Sequence, residues 1–385
     1  MPDIRPATLS TRLITSQLEW AQLEDRWAAL HAVSPTSSTP LSLDWLTTWW
    51  RVYGPAFERA ELQIITVWRG TEMVGAVPLY AHSVGAGPFR IRRLGFISTG
   101  EAEFEETCAD YLNLLHQPDD GEACAGLVWD AISRLEWDHL ELVDLPSSSP
   151  LLLPAGQPPQ IEQFSLGTCP VADLSGGFEA YLQRLSSNRR QQIRRLLRDG
   201  ERLSVGFELV SEETMSTAFE DLVRLHQARW TAEGSPGVFA APKFVEFHRR
   251  LLDVWLPSGR SVLATLGVGG DTVAVLYGFI TGTKFDFYQS GVRFETAGGE
   301  LSSPGTLAHL LLMKALAARG ITAYDFLRGP SVHKERHATA ATELVGIRAW
   351  RPTVAAGLYR STNFAGKVVR KGLQRAKRVG SVPRP

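Results

Sequence analysis

Cysteine is scarce in this 385-residue chain, with only Cys108, Cys124 and Cys169 and no C-x-x-C pair among them. That excludes a disulfide framework and a structural zinc site, and makes a reducing, cytoplasmic setting the expectation. Net charge is nearly absent as well: 40 basic against 41 acidic side chains leave −1, which predicts neither a nucleic-acid sleeve nor an acidic-tail chaperone. Long apolar runs are missing. The longest uncharged stretch, Leu145 to Ile161, contains Pro146, Pro150, Pro154, Pro158 and Pro159 and is no membrane helix. Met1 to Trp20 has no apolar h-region, so no signal peptide is expected and any membrane contact is expected to be peripheral. A G-x-x-x-x-G-K-[ST] string is absent too, which excludes a P-loop. Gly267-Val-Gly-Gly270 is followed by strand-like residues where a dinucleotide site needs a helix, so it reads as a turn.

What is present is enough to fold. The chain is 44% hydrophobic with 11 Trp and 17 Phe, far from a disordered composition. Its length suggests two domains, and the proline-rich run is the natural linker between them. We expect a first domain over 1–150, a second over 165–358 and a tail over 359–385. The tail holds eight basic residues and no acid, so the rest of the chain stands at 32 minus 41, or −9. Flexible solubilisation or weak attraction to anionic lipid would both explain such a tail.

Periodicity predicts the same order of elements in each half: strand, two helices, three strands, helix, strand. In the second half these are Val205–Val210, Thr214–Trp230, Lys243–Leu256, Ser261–Val268, Thr272–Thr281, Lys284–Gly291, Pro304–Arg319 and Tyr324–Leu327. In the first they are Arg12–Thr15, Leu18–His31, Leu43–Tyr53, Leu62–Val67, Met73–Ala81, Arg90–Phe96, Gly121–Glu136 and Leu140–Val143. A duplicated α/β domain is the expectation.

The sharpest candidate site runs from Tyr288-Gln-Ser-Gly291 to Ser302-Ser-Pro-Gly-Thr306, a strand end, a loop and a helix start. Helix starts present backbone N–H groups and positive dipole, which suits a diphosphate. Ser303 as a plain N-cap is the alternative. A dense arginine cluster, Arg184 to Arg202, forms a basic amphipathic helix whose charges are either solvated or grip a phosphate. His333, Glu335 and His337 lack the order of a zinc motif, and no metal is expected.

Tyr288-Gln-Ser-Gly, Ser303-Pro-Gly-Thr-Leu-Ala-His-Leu-Leu-Leu-Met-Lys-Ala-Leu-Ala-Ala-Arg-Gly320 and Tyr324-Asp-Phe-Leu-Arg-Gly329 with Lys334 resemble the GNAT-type acyltransferases of the BioF2-like/CelD group, relatives of the FemAB peptidyl transferases. Leu43-Asp-Trp-Leu-Thr-Thr-Trp-Trp50 and Cys108-Ala-Asp-Tyr-Leu-Asn113 extend the resemblance into the first half. It implies two tandem GNAT-like domains, each a mixed, mostly antiparallel sheet flanked by helices. It also implies acetyl-CoA or another acyl-CoA as donor in the second domain, touching Phe287, Gln289, Ser290, Gly291, Ser303, Gly305 and Thr306.

Tyr288, Asp325 and Lys334 are the implied catalytic residues, against core packing for Tyr288 and a solvated loop for Lys334. Arg190, Trp230 and Arg328 are the implied acceptor contacts, with packing the first role of Trp230. The sequence departs from the group at His333, where an aromatic is usual, and lacks a tryptophan a few residues on. In the first half, Glu101, Glu103, Glu105, Glu106 and Asp110 would repel a diphosphate, so a single CoA site is expected. The expected acceptor is a small or lipid-linked amine on a sugar or envelope precursor. Transfer from charged tRNA and a non-catalytic role in polysaccharide assembly are the alternatives.

Overall fold

The computed structural model describes residues 8–152, 161–293, 301–329 and 332–361. The first half contains β1 (Leu9–Ile14), α1 (Gln17–Ala21), α2 (Glu24–Val33), α3 (Leu43–Tyr53), β2 (Glu61–Leu62), β3 (Ile64–Arg69), β4 (Glu72–Val77), β5 (Leu79–Val84), β6 (Ile91–Phe96), β7 (Leu115–His116), α4 (Gly121–Arg134) and β8 (His139–Pro146). The second contains β9 (Glu162–Asp173), α5 (Phe178–Arg184), α6 (Ser187–Arg202), β10 (Gly206–Leu209), α7 (Met215–Ala232), α8 (Pro242–Trp255), β11 (Ser261–Val268), β12 (Asp271–Thr281), β13 (Lys284–Val292), α9 (Pro304–Ala318), β14 (Ala323–Asp325), α10 (Val332–His337) and β15 (Ala340–Trp350). A last helix, α11, covers 354–361. Of the expected tail only its first three residues lie within the described chain.

Most expected elements appear, with instructive exceptions. The expected helix Leu18–His31 is two helices, α1 and α2. The expected strand Met73–Ala81 is broken at Pro78, which has no N–H for a ladder. There the chain changes sheet: β4 joins a four-stranded sheet, β1-β3-β4-β7, while β5 joins a second one.

That second sheet has eleven strands, in the order β10-β11-β12-β13-β14-β9-β15-β8-β6-β5-β2. It runs through both halves. β15 lies antiparallel to β9 on one side and to β8 on the other, stitching second-half strands to first-half strands. All its pairings are antiparallel except β13 with β14 and β6 with β8. The cores follow this continuity. One apolar cluster joins Trp27, Trp45 and Trp129 of the first half to Phe247, Trp255 and Phe279 of the second. Trp45 meets Phe247 edge-on at 4.8 Å and stacks on Trp255 at 6.3 Å, a seam of large rings between α3 and α8. A second cluster fills the opposite face of β11 to β14 beneath α5, α6 and α9.

Candidate active site

α9 starts after Ser303, whose side chain makes no hydrogen bond to the first turn. The capping explanation for Ser303 therefore has no bond behind it. Gly305 occupies the second helical position, where alanine would be more stable by roughly 0.5–1 kcal/mol. Among the described residues, packing does not demand this glycine, because the nearest atoms a Cβ there would meet are those of Val292, at an ordinary 3.4 Å. In front of the helix start lies a cavity of about 470 Å³ lined by Ser302, Ser303 and Thr306, by Arg189 and Arg195 of α6, and by Arg336 of α10. Among the described residues that line it, three guanidinium groups stand with one carboxylate, Asp199, which lies 3.9 Å from Arg195. Dipole, hydroxyls and guanidinium groups together make a setting for a diphosphate.

β13 carries the second feature. Its pairing with β14 covers only Lys284 to Asp286 against Ala323 to Asp325. The backbone N–H of Phe326 turns to Pro170 of β9 at 2.9 Å, and Leu327 takes φ 54°. From Phe287 on, the two parallel strands part. Against β12, Tyr277 faces Gln289 and Gly278 faces Phe287, leaving Tyr288 as the extra residue of a β-bulge, a device that re-aims a side chain beside active sites. The Tyr288 hydroxyl donates to the Thr107 carbonyl at 2.6 Å and lies 3.1 Å from Nε2 of buried His248. Burial holds Tyr288 well above the ordinary tyrosine pKa and takes His248 down to about 3. A neutral His248 donates to Tyr288 and accepts from Tyr277, whose hydroxyl is 3.3 Å from Nδ1.

The root of the gap is a buried charge cluster contributed by both halves. Lys284 Nζ lies 2.8 Å from Asp286 and 3.5 Å from Asp325, and 4.0 Å above the Tyr111 ring. Asp325 accepts from the Tyr111 hydroxyl at 2.5 Å and from the Leu327 N–H at 2.8 Å. Arg328 pairs with Asp144 at 2.6 Å and with Asp110 at 3.4 Å, while its backbone N–H donates to Asp110 at 2.7 Å. Lys334 Nζ donates to the carbonyls of Arg328 and Leu327 at 3.1 and 3.3 Å and stands 5.9 Å from the Phe287 ring centre. Burial raises the carboxyls of Asp110, of Asp144 to about 7 and of Asp286 to about 6, and lowers Lys334. Groups that titrate near neutrality beside a gap between strands are what proton transfer at an amine requires.

Residues 187–335 match the sequence model of the acetyltransferase (GNAT) domain family. The chain carries a GNAT acyltransferase domain. Among solved structures, FemX superposes with a TM-score of 0.57 at 11% identity, over 87% of this chain and 96% of that one. A conserved protein of unknown function from Bacteroides thetaiotaomicron VPI-5482 superposes at 0.53 and 13%, over 88% and 100%. A tandem GNAT protein from the clavulanic acid biosynthesis pathway gives 0.41 at 13%, over 90% and 100%. At such identities the first two likenesses speak to fold alone, and they extend it over both halves. No curated protein matches the chain by sequence.

Tyr288, Asp325, Lys334, Phe287 and Arg328 gather around the root of the strand gap, and Ser303 and Thr306 line the α9 cavity, whereas Gly305 is not among its lining residues. Gln289 and Ser290 are half-buried on β13. Gly291 has a packing reason: a Cβ there would lie 2.6 Å from the Leu222 carbonyl and 2.7 Å from the Leu225 Cβ, so α7 claims that space. Arg190 is spent on α5, donating to the Leu185 and Gln183 carbonyls at 2.6 and 3.3 Å. Trp230 lies on α7, across the sheet from α6, half-exposed beside His226 at 5.9 Å; the fold does not bring it to Arg190.

His337, once weighed as a metal ligand, is buried with Nε2 3.0 Å from Arg189 and its carbonyl accepting from Tyr181 at 3.1 Å. The sequence reading passed over Lys284, Asp286, Tyr111, Asp144 and Arg336. Asp110 and Tyr111 do stand in the first-half stretch that carried the resemblance, and Arg189 and Arg195 in the arginine cluster, so a signal existed for those four.

Proposed function

We propose that the protein transfers an acyl group, most simply acetyl, from acyl-CoA to an amine on a sugar or cell-envelope precursor, small or lipid-linked. The observation that carries this is the α9 start, where Ser302, Ser303 and Thr306 share one cavity with Arg189, Arg195 and Arg336, and the Ser303 side chain does not cap its own helix. The diphosphate of CoA fits there, and its acyl end then follows β13 into the gap beside Phe287 and Lys334.

On this reading the amine nitrogen bonds to the thioester carbon, the C–S bond breaks, and the proton released by the amine passes to a carboxylate of the buried cluster. Lys334 offsets the charge on the carbonyl oxygen, and Tyr288 passes a proton to the thiolate as it regains one from the carboxyl that took the amine's proton, so that both groups end as they began. Lys284 and Tyr111 hold Asp286 and Asp325 in place. An acceptor reaches them through a cavity of about 820 Å³ lined by α2 residues, the β12–β13 turn, Tyr111 and Lys284.

Calorimetric titration with CoA tests the reading. One site per chain is expected, with a higher melting temperature in excess ligand; no binding, or two sites, overturns it. Transfer from aminoacyl-tRNA is the second reading, supported by the fold shared with FemX. For that donor, tRNA binding would fall steeply with added salt and CoA would leave the melting temperature unchanged.

A further inference from the structure

We propose that Asp286 is the carboxylate that takes the acceptor amine's proton, and that the hydroxyls of Thr281 and Thr39 relay it there from the acceptor cavity. This rests on the acyl-transfer reading and names a path inside it. Thr281, at the end of β12, lines the cavity of about 820 Å³. Its hydroxyl lies 2.9 Å from that of Thr39, and the Thr39 hydroxyl lies 3.2 Å from Oδ2 of Asp286. Thr39 comes from the other half of the chain. It is buried at the start of a 3₁₀ turn, Thr39–Leu41, and the Ser42 hydroxyl and N–H both donate to its carbonyl, at 2.8 and 3.1 Å, which holds the turn.

Each threonine hydroxyl has one hydrogen to give and can accept in return. An ionised Asp286 only accepts, so Thr39 donates to it and Thr281 donates to Thr39, which leaves the Thr281 oxygen to accept from an amine in the cavity. The donors point one way, from cavity to carboxylate. As the amine nitrogen bonds to the thioester carbon, the N–H electron pair stays on nitrogen and the proton moves to Thr281; Thr281 passes its own hydrogen to Thr39, and Thr39 passes its own to Oδ2. Both hydroxyls end as they began, and Asp286 ends as a neutral acid. Asp325 is less suited, because its two oxygens accept from the Tyr111 hydroxyl and the Leu327 N–H. Burial raises the Asp286 carboxyl to about 6, with Lys284 opposing, Asp325 of β14 adding to the rise and the Thr39 hydroxyl lowering it again. Tyr111 touches both Lys284 and Asp325, and Asp110, Cys108 and Tyr288 share a second, small pocket with Thr39 and Asp286. That pocket is the carboxyl's way on to Tyr288.

Thiol release from acetyl-CoA by the full chain, with glucosamine as the probe amine, tests the relay. In the parent kcat should rise with pH through about 6, as Asp286 ionises. Thr39→Val should lower kcat at least about tenfold and carry the rise to higher pH, because the carboxylate loses a donor. Thr281→Val should lower kcat as much and leave the rise in place, since Asp286 keeps its hydrogen bond. Thr39→Ser and Thr281→Ser should keep kcat within about threefold of the parent, and CoA affinity and melting temperature should match the parent throughout. Infrared difference spectra of the parent against Asp286→Asn isolate the Asp286 carboxyl band and follow its titration without turnover; Thr39→Val should move that titration and Thr281→Val should not. Valine variants that keep the parent's kcat, or change only the KM for glucosamine, overturn the relay. So do serine variants as slow as the valine ones, or a carboxyl band indifferent to Thr39→Val. A parent that binds CoA yet releases no thiol with glucosamine overturns it as well, whereas a parent that binds no CoA overturns the acyl-transfer reading itself.

Discussion

The two halves share one scaffold and differ at one helix start. Each has a parallel strand pair, β6/β8 and β13/β14, with a helix, α4 or α9, in the crossover between its members. At α4 the N-cap is buried Asp120, paired with Arg69. The His116 ring lies across its start, 2.9 Å from where a Cβ on Gly121 would be. Neither N-cap side chain bonds into its own first turn; on α9 a Cβ at Gly305 would meet Val292 at an ordinary contact distance of 3.4 Å, and guanidinium groups line the cavity in front. The first-half carboxylates expected to repel a diphosphate act elsewhere: Glu101 accepts from Trp49 and Thr107, and Asp110 meets Arg328. A duplicated fold keeps its backbone and changes what stands before one turn of helix.

The halves depend on each other most at Arg328. Arg328→Ala leaves Asp110 and Asp144 buried without their counter-ion, and should cost about 3–5 kcal/mol of stability. Urea unfolding checks this, and a loss below about 1 kcal/mol would mean that the carboxyls simply take up protons. Gly305→Asp makes the α9 start resemble that of α4. Acyl-CoA affinity should fall at least about a hundredfold by calorimetry, and an unchanged affinity would remove α9 from donor binding.

The smallest effect concerns pH. Burial lifts the Asp144 carboxyl to about 7, with Arg328 opposing and Asp110 adding to the rise. The folded state therefore holds a proton that the unfolded chain releases near pH 4. The sign is that this contribution is full at pH below about 4 and disappears as pH climbs through about 7. The stability of the parent relative to Asp144→Asn should decline across that window, and a flat difference would break the assignment.

Local elements were legible in the sequence, while elements that join distant parts were not. The β11–β13 meander and α9 announce themselves by alternation, Gly-rich turns and a Pro start. β9 and β15 were not foreseen: β9 begins beside the proline-rich run and contains Gly167 and Pro170, and the partners that make it a strand lie far along the chain. Ser303, Gly305 and Thr306 could be read because helix starts have local chemistry. A cluster of arginines does not reveal helical phase: Arg190 bonds to the Leu185 and Gln183 carbonyls, while its neighbour Arg189 lines the cavity. The Tyr111 hydroxyl finds Asp325 across 214 positions, and no local pattern encodes such a pair. Lys284 and Asp286 alternate like any polar face of a strand, so only the fold shows that the face is buried.

The place of β15 has a consequence for biosynthesis. β8 is made early, yet the strand that covers it comes from residues 340–350, nearly the last described. While the ribosome produces everything between, β8 offers an uncovered row of amides and carbonyls, the kind of edge that invites wrong partners. The β8 edge that β15 covers therefore stays without its partner strand until residues 340–350 have been made.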